Sequence, residues 1–311
     1  MNNNLPDAGR RALIVGTAAA LAAASVDAQT PTAQVSALPV ATTLADVPPS
    51  ATNTVTVERR GDIVLIGLNR QQIQNRIDPP TRAKLAEAFY GYEHDPTLRA
   101  AILFGHGANF SRGIDVDAQQ TQLANGPRPP AGAGQLDPLG NNPNHRTKPV
   151  VAAVHGETWN LGHELYLACD IRVAAANTDF GQDEASHARF PGGGGTVRFV
   201  REAGWGNAMR FMLTGDHWSA DESMRIGVTQ HVAATQQAAL DMAVAIARKI
   251  AACGPLGIKA TLATAHNVID PVEMDTYSKL GAQYTALYRT EDFLEGRKAE
   301  AEGRPAKYAG R

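Results

Sequence analysis

KPVVAAVHGETWNLGHELYLACDIRVAAANTDFGQDEASHARFPGGGGT, residues Lys148–Thr196, decides the fold. Val150–Val154 is a short run of β-branched and small apolar residues without alternation, the pattern of a strand buried on both faces. A glycine turn follows at Gly156. Leu161–Ala168 is apolar but carries one acid, Glu164. A second strand-like run, Ile171–Ala175, leads into a polar loop holding another acid, Glu184, and then Phe190-Pro191 and four glycines. Two carboxylates twenty positions apart, each in an apolar or glycine-rich setting, suggest a pair that meets across a pocket.

Upstream, VTVERRGDIVLIGLNR predicts a hairpin: a strand at Val55–Arg59, a turn at Arg60-Gly61-Asp62 and a buried strand at Ile63–Leu68. Asp78 is placed to cap a helix over Thr81–Glu93, with Pro79 in its first turn. Ala100–Phe104 is the next strand. This β-β-α-β order points to a layered α/β fold. Residues 119–147, rich in Gly, Pro and Asn, read as a long connection, either functional or a mobile surface insertion. Downstream of Thr196 the pattern turns helical: Val197–Ala203, Asn207–Leu213, Asp221–Ile226 with Ser219 as N-cap, Ala238–Ala252, Pro255–Val268 and Glu273–Tyr288.

The chain has 311 residues and a net charge of −2, which gives no reason to expect nucleic acid or an acidic membrane as a partner. Two cysteines, Cys169 and Cys253, are too few for a disulfide scaffold, and no clustered His/Cys spacing suggests a metal. Residues 1–28 resemble an export signal: Arg10-Arg11, a short apolar run Ala12–Ala24, and Val26-Asp27-Ala28 as a cleavage site. A disordered, unprocessed extension is the other reading. Residues 29–53, rich in Thr, Ala, Pro and Ser, read as a linker.

The central stretch resembles the crotonase superfamily, the enoyl-CoA hydratase/isomerase group, in KPVVAAVHG, GHELYLACDIRVAA, FGQDE and PGGGGT. ILFGHGANFSRGIDVDA upstream, and LTGDHWSADESMRIGVTQHV and TEDFLEGRKAEAEGRP downstream, extend the resemblance over about Val55 to Arg311. It implies a crotonase-like α/β spiral of β-β-α repeats over 54–235. A helical C-terminal region over 236–311 would mediate trimerisation, giving a homotrimer or a dimer of trimers.

The resemblance also implies an acyl-CoA thioester substrate, with CoA arriving on the substrate and no tightly bound cofactor. The reaction it implies is hydration of a 2,3-double bond. Isomerisation, or hydrolysis or lysis of another CoA thioester, is the same-fold alternative; an inactive crotonase-fold binding protein is the other. By position, Glu164 and Glu184 would handle protons, and the backbone N–H groups of Ile114 and Leu161 would form an oxyanion hole. Arg76, Gly113 and Gly162 would lie at the CoA-binding elements.

Several positions depart from the family pattern. The family's three glycines are Asn160-Leu161-Gly162, where a leucine at positive φ would be strained. Asp183 adds a third carboxylate, expected to face solvent, and His163 stands beside Glu164 as a proton relay or a packed histidine. CoA chemistry belongs to the cytoplasm, whereas the N-terminus suggests export.

Overall fold

The computed structural model describes residues 52–124, 132–142 and 146–311. The expected export signal lies outside the described residues. So do nearly all of the expected linker and parts of the 119–147 connection.

Nine strands and nine helices are found among the described residues. The strands are β1 (Val55–Arg60), β2 (Ile63–Leu68), β3 (Ala100–Gly105), β4 (Val150–Val154), β5 (Glu157–Trp159), β6 (Ile171–Ala175), β7 (Asp179–Gly181), β8 (Trp218–Ser219) and β9 (His231–Ala233). The helices are α1 (Pro79–His94), α2 (Val116–Ala124), α3 (Leu161–Leu167), α4 (Gly195–Ala203), α5 (Trp205–Thr214), α6 (Ala220–Arg225), α7 (Gln236–Ala251), α8 (Pro255–Leu287) and α9 (Glu291–Glu302).

The chain winds as a spiral because each turn gives one strand to a large sheet and one short segment to a second ladder. The large sheet has the order β1-β2-β3-β4-β6-β9, parallel except for the β1–β2 hairpin. The second contains β5, β7 and β8. Two parallel bridges, Ile77 with Ile114 and Ser111 with Thr158, continue that ladder backwards into the earlier turns. Successive turns of the spiral therefore stack residues 77, 111–114, 157–159 and 179–181 side by side.

The inner strands β2, β3 and β4 are buried on both faces, which is why they are uninterrupted apolar runs. One face, including Val64, Ile66, Leu103 and Ala152, packs on Phe89, Leu165, Tyr166 and Phe199. The other, including Ile63, Leu65, Ile102 and Val173, is covered by Ala239, Leu240, Ala243, Ala247 and Ala251 of α7. The alanines recur every four residues, so α7 lies close against the strands. The expected boundary at 235/236 thus falls inside one packed layer.

The caps are where the sequence placed them: Asp78 accepts from Thr81 N at 2.8 Å and Ser219 from Glu222 N at 3.2 Å. One expectation fails. The two helices expected on either side of Pro271 are one helix, α8. Pro271 is exposed, so its ring meets no packed neighbour. Beyond it the helix is anchored by Glu273, which pairs with Arg201 at 2.8 Å, and by Tyr277, whose ring lies 4.7 Å from the Arg198 guanidinium. The described parts of the 119–147 connection are packed: α2 runs into it, and Leu136 and Leu139 are buried. Leu139 is 2 % exposed and its carbonyl accepts from Arg198 at 2.5 Å.

Leu139→Ala is therefore expected to cost about 2–4 kcal/mol in urea unfolding, as for a core leucine. A cost below about 0.5 kcal/mol, as for surface positions, would show that this segment is not part of the core.

Candidate active site

A cleft of about 470 Å³ opens along the second ladder, and Ile114, Leu161, Glu164 and Glu184 all line it. They come from three successive turns of the spiral. Ile114 follows Gly113, whose φ is +88°. A Cβ on Gly113 would stand 2.9 Å from both Asn160 Cβ and the Trp159 carbonyl, and 3.3 Å from Leu161 N. That contact holds the two expected oxyanion segments against each other. The amides of Ile114 and Leu161 have no hydrogen-bond partner among the described residues. Leu161 opens α3, where backbone N–H groups lack intrahelical acceptors.

The structure corrects the expected strain at Leu161. Positive φ falls instead on Asn160, the residue before the helix, at φ 52° and ψ −119°. This is a conformation natural to glycine and costly for other residues. Asn160 is held there by its N–H to the Gly181 carbonyl (2.8 Å) and by its Oδ1, which accepts from Asp183 N (3.1 Å). Leu161 keeps an ordinary helical backbone and packs its side chain into the core.

Glu164 is 3 % exposed. Its Oε1 accepts from the amides of Gly193 and Gly195, each at 2.8 Å. Burial pushes its pKa up to about 7, although those two amides and the cations Arg198 and Arg82 favour the ionised form. The glycine loop can approach because it has no side chains: a Cβ on Gly193 would stand 2.4 Å from Glu164 Oε2. Asn141 fastens the loop, donating to the Gly193 carbonyl at 2.8 Å while accepting from Arg198 at 2.9 Å.

Glu184 begins a one-turn 3-10 helix over Glu184–His187 and is 7 % exposed. Burial raises its pKa well above the usual carboxylate range, and the charges of Glu164 and Asp183 raise it further. Gln182 donates Nε2 to both Glu184 oxygens, at 2.9 and 3.1 Å. Its Oε1 thus turns to His163 Nδ1 at 2.5 Å, which places the His163 proton on Nδ1. His163 is fully buried among Phe180, Phe199 and Trp218, and burial pulls its pKa down to about 4, so the ring is neutral. It is a packed histidine and not a relay to Glu164; its link is to Glu184 through Gln182.

Asp183 does not face solvent as expected. It lines the cleft and pairs with His187 (3.4 Å) and His217 (3.6 Å). Burial opposes its ionisation, but hydrogen bonds from His187, His217 and Asn160 hold it well below the usual range. The hydrogen bond that His217 donates to Asp183, joined by one to Asp179, pushes its pKa up to about 9.

The turn carrying Glu184 is also clamped from outside. Tyr308 donates its hydroxyl to the Ser186 carbonyl at 2.7 Å, and Gly296 of α9 lies so near the His187 carbonyl that a Cβ would be 3.0 Å away.

Of the expected CoA contacts, Arg76 lines the cleft. Gly113 and Gly162 are close-packing points; a Cβ on Gly162 would lie 2.5 Å from the Ser111 carbonyl. Gln182, Asn141 and Arg198 escaped the sequence reading. Gln182 stands inside the FGQDE motif, but nothing in the sequence shows that Arg198 and Asn141 meet. Cys169 is, as expected, a buried core thiol.

Gly193→Ala is expected to lower turnover at least about 100-fold by displacing Glu164, a loss typical of roughly 1 Å misplacement. Gly91→Ala at an exposed position of α1, where a Cβ meets nothing within 4 Å, is the control and should add about 0.5–1 kcal/mol of stability. Parental turnover in a folded Gly193→Ala protein would show that the loop does not set Glu164.

A family model described as enoyl-CoA hydratase/isomerase matches residues 58–311. An enoyl-CoA hydratase of Mycobacterium tuberculosis is 32% identical over 264 residues, covering 82% of this chain and 96% of that protein. An (E)-benzylidenesuccinyl-CoA hydratase of Thauera aromatica is 34% identical, covering 82% of this chain and 99% of its own length. The crystal structure of a probable enoyl-CoA hydratase/isomerase from Mycobacterium abscessus superposes with a TM-score of 0.67 at 38% identity, covering 83% of this chain and 99% of that one. The spiral, its two ladders and these matches agree: the chain is an enzyme of the enoyl-CoA hydratase/isomerase family, with the crotonase fold.

Proposed function

We propose that the enzyme adds water across the C2=C3 bond of a 2-enoyl-CoA thioester. The observation that carries this reading is the pair Glu164 and Glu184: two buried acids of raised proton affinity in one cleft with two unpartnered amides. Such a pair holds one proton between two sites, which suits concerted acid and base work. Glu164, steadied by two backbone donors, is the ionised member. It takes a proton from water as the water oxygen bonds to C3. Glu184, kept protonated by burial and by its anionic neighbours, gives its proton to C2. Negative charge gathering on the thioester oxygen is met by the amides of Ile114 and Leu161. Arg76, Arg112 and Arg297, also around the cleft, offer cations for the phosphates of CoA. The relatives named as hydratases support this reaction.

Hydration of crotonyl-CoA, followed as loss of conjugated-thioester absorbance, tests it. Glu164→Gln and Glu184→Gln should each lower kcat by about 10²–10⁴-fold. In the parent, kcat/KM should rise as pH climbs through about 7, where Glu164 gains its charge, and fall again at higher pH as Glu184 loses its proton. No hydration of short, medium or aromatic enoyl-CoAs by folded protein would overturn the assignment.

The C-terminal helices support a proposed homotrimer or dimer of trimers. On α8, Leu256, Val268 and Val272 are 81%, 77% and 75% exposed, apolar side chains that contact between protomers would cover. Sedimentation equilibrium should report three or six protomers; a monomer at micromolar concentration would refute this.

A further inference from the structure

Arg189 lines the cleft and has no task in the hydration described above. It is 9 % exposed, and its Nε has no hydrogen-bond partner. None of the ion pairs among the described residues includes it. Its backbone N–H closes the turn that begins at Glu184, donating to the Glu184 carbonyl at 2.8 Å. Its guanidinium reaches the hydroxyl of Tyr288, which also accepts from Tyr284 at 2.7 Å. Phe190 lies beside this group, its ring 6.4 Å from that of Tyr284. The result is a buried cation in an aromatic wall, next to the residue that would donate a proton at C2.

The nearby acids do not balance that charge. Arg189 favours the ionised form of Glu184, but burial and the charges of Glu164 and Asp183 outweigh it, and Asp183 is committed to His187 and His217. A buried guanidinium without a counter-ion is unfavourable, and an incoming carboxylate with matching fork geometry offsets that cost. The phosphates of CoA are a poorer match. They are strongly hydrated, and Arg112 and Arg297, with side chains 37% and 28% exposed, meet them nearer to water.

Building on the hydratase reading, we propose that Arg189 binds a carboxylate on the acyl group. The preferred substrates are then 2-enoyl-CoA thioesters whose chain ends, a short distance beyond C3, in a second carboxylate. The reaction is unchanged: water oxygen bonds to C3, a proton to C2, and the distal carboxylate stays intact as the anchor.

Two matched pairs of probes test this: glutaconyl-CoA against 2-pentenoyl-CoA, and 5-carboxy-2-pentenoyl-CoA against 2-hexenoyl-CoA. Within each pair a carboxylate replaces a methyl. The ratio of their kcat/KM values therefore cancels any effect of Arg189 on Glu184 common to both. The parent should favour the carboxylate in at least one pair by about tenfold or more. Arg189→Met should bring that ratio to one or below, and Arg189→Lys should restore part of it. A parent ratio of one or less in both pairs overturns the proposal, as does an Arg189→Met variant that loses activity equally on both members.

Binding of glutaryl-CoA and valeryl-CoA, measured by calorimetry, keeps the outcome separate from the hydratase reading. Preferential binding of glutaryl-CoA by the parent, lost in Arg189→Met, supports the carboxylate site even if no probe is hydrated. Equal binding of the two, with no hydration, refutes both readings. Circular dichroism of each variant separates misfolding from lost recognition.

Discussion

The site depends on one carboxylate, Glu164, being held out of water by backbone amides. A buried acid needs donors to stay ionised, and side-chain donors cost entropy to fix in place. Here Gly193 and Gly195 supply them from the main chain, so the loop must carry glycine wherever it touches the acid. The loop's own position then becomes the requirement. Arg198 and Asn141 meet it, and they in turn need the 132–142 segment packed against the core. A residue distant in sequence from the chemistry, Leu139, thus helps to fix the basicity of Glu164.

The spiral explains why the cleft is where it is. Each turn places one strand in a sheet buried on both faces, and that burial fixes the register. The short second ladder then inherits the spacing. Ile114, Leu161 and Glu184 come from consecutive turns and arrive side by side without contacting one another through the chain. The small size of residues such as Gly113 and Gly162 lets those turns close to contact distance.

Most of this was legible in the sequence where a local pattern carries the physics. β2 and β4 read correctly to the residue because they are unbroken apolar runs, and the caps at Asp78 and Ser219 because a capping side chain acts within three residues. The two glutamates stand out as acids in apolar surroundings. The misreadings concern what distant residues supply. Asp183 turns inward because His217, on a later strand connection, reaches back to it. Positive φ moves from Leu161 to Asn160 because the Gly181 carbonyl and the Asp183 amide hold the asparagine. Pro271 fails to break α8 because Glu273 and Tyr277 tie down the next turn. Each outcome was set by tertiary partners that no window of sequence contains.

The clamp of Tyr308 on Ser186 spans 122 positions of the chain. During synthesis from the N-terminus, the spiral can wind and bury its sheet well before residue 308 leaves the ribosome. The turn that bears Glu184 then waits, half-supported, for its last fastening. The turn bearing the acid is consequently fastened only after most of the spiral has been made. A bulky fusion placed just after Tyr308 would strike at proton delivery while leaving the fold in place.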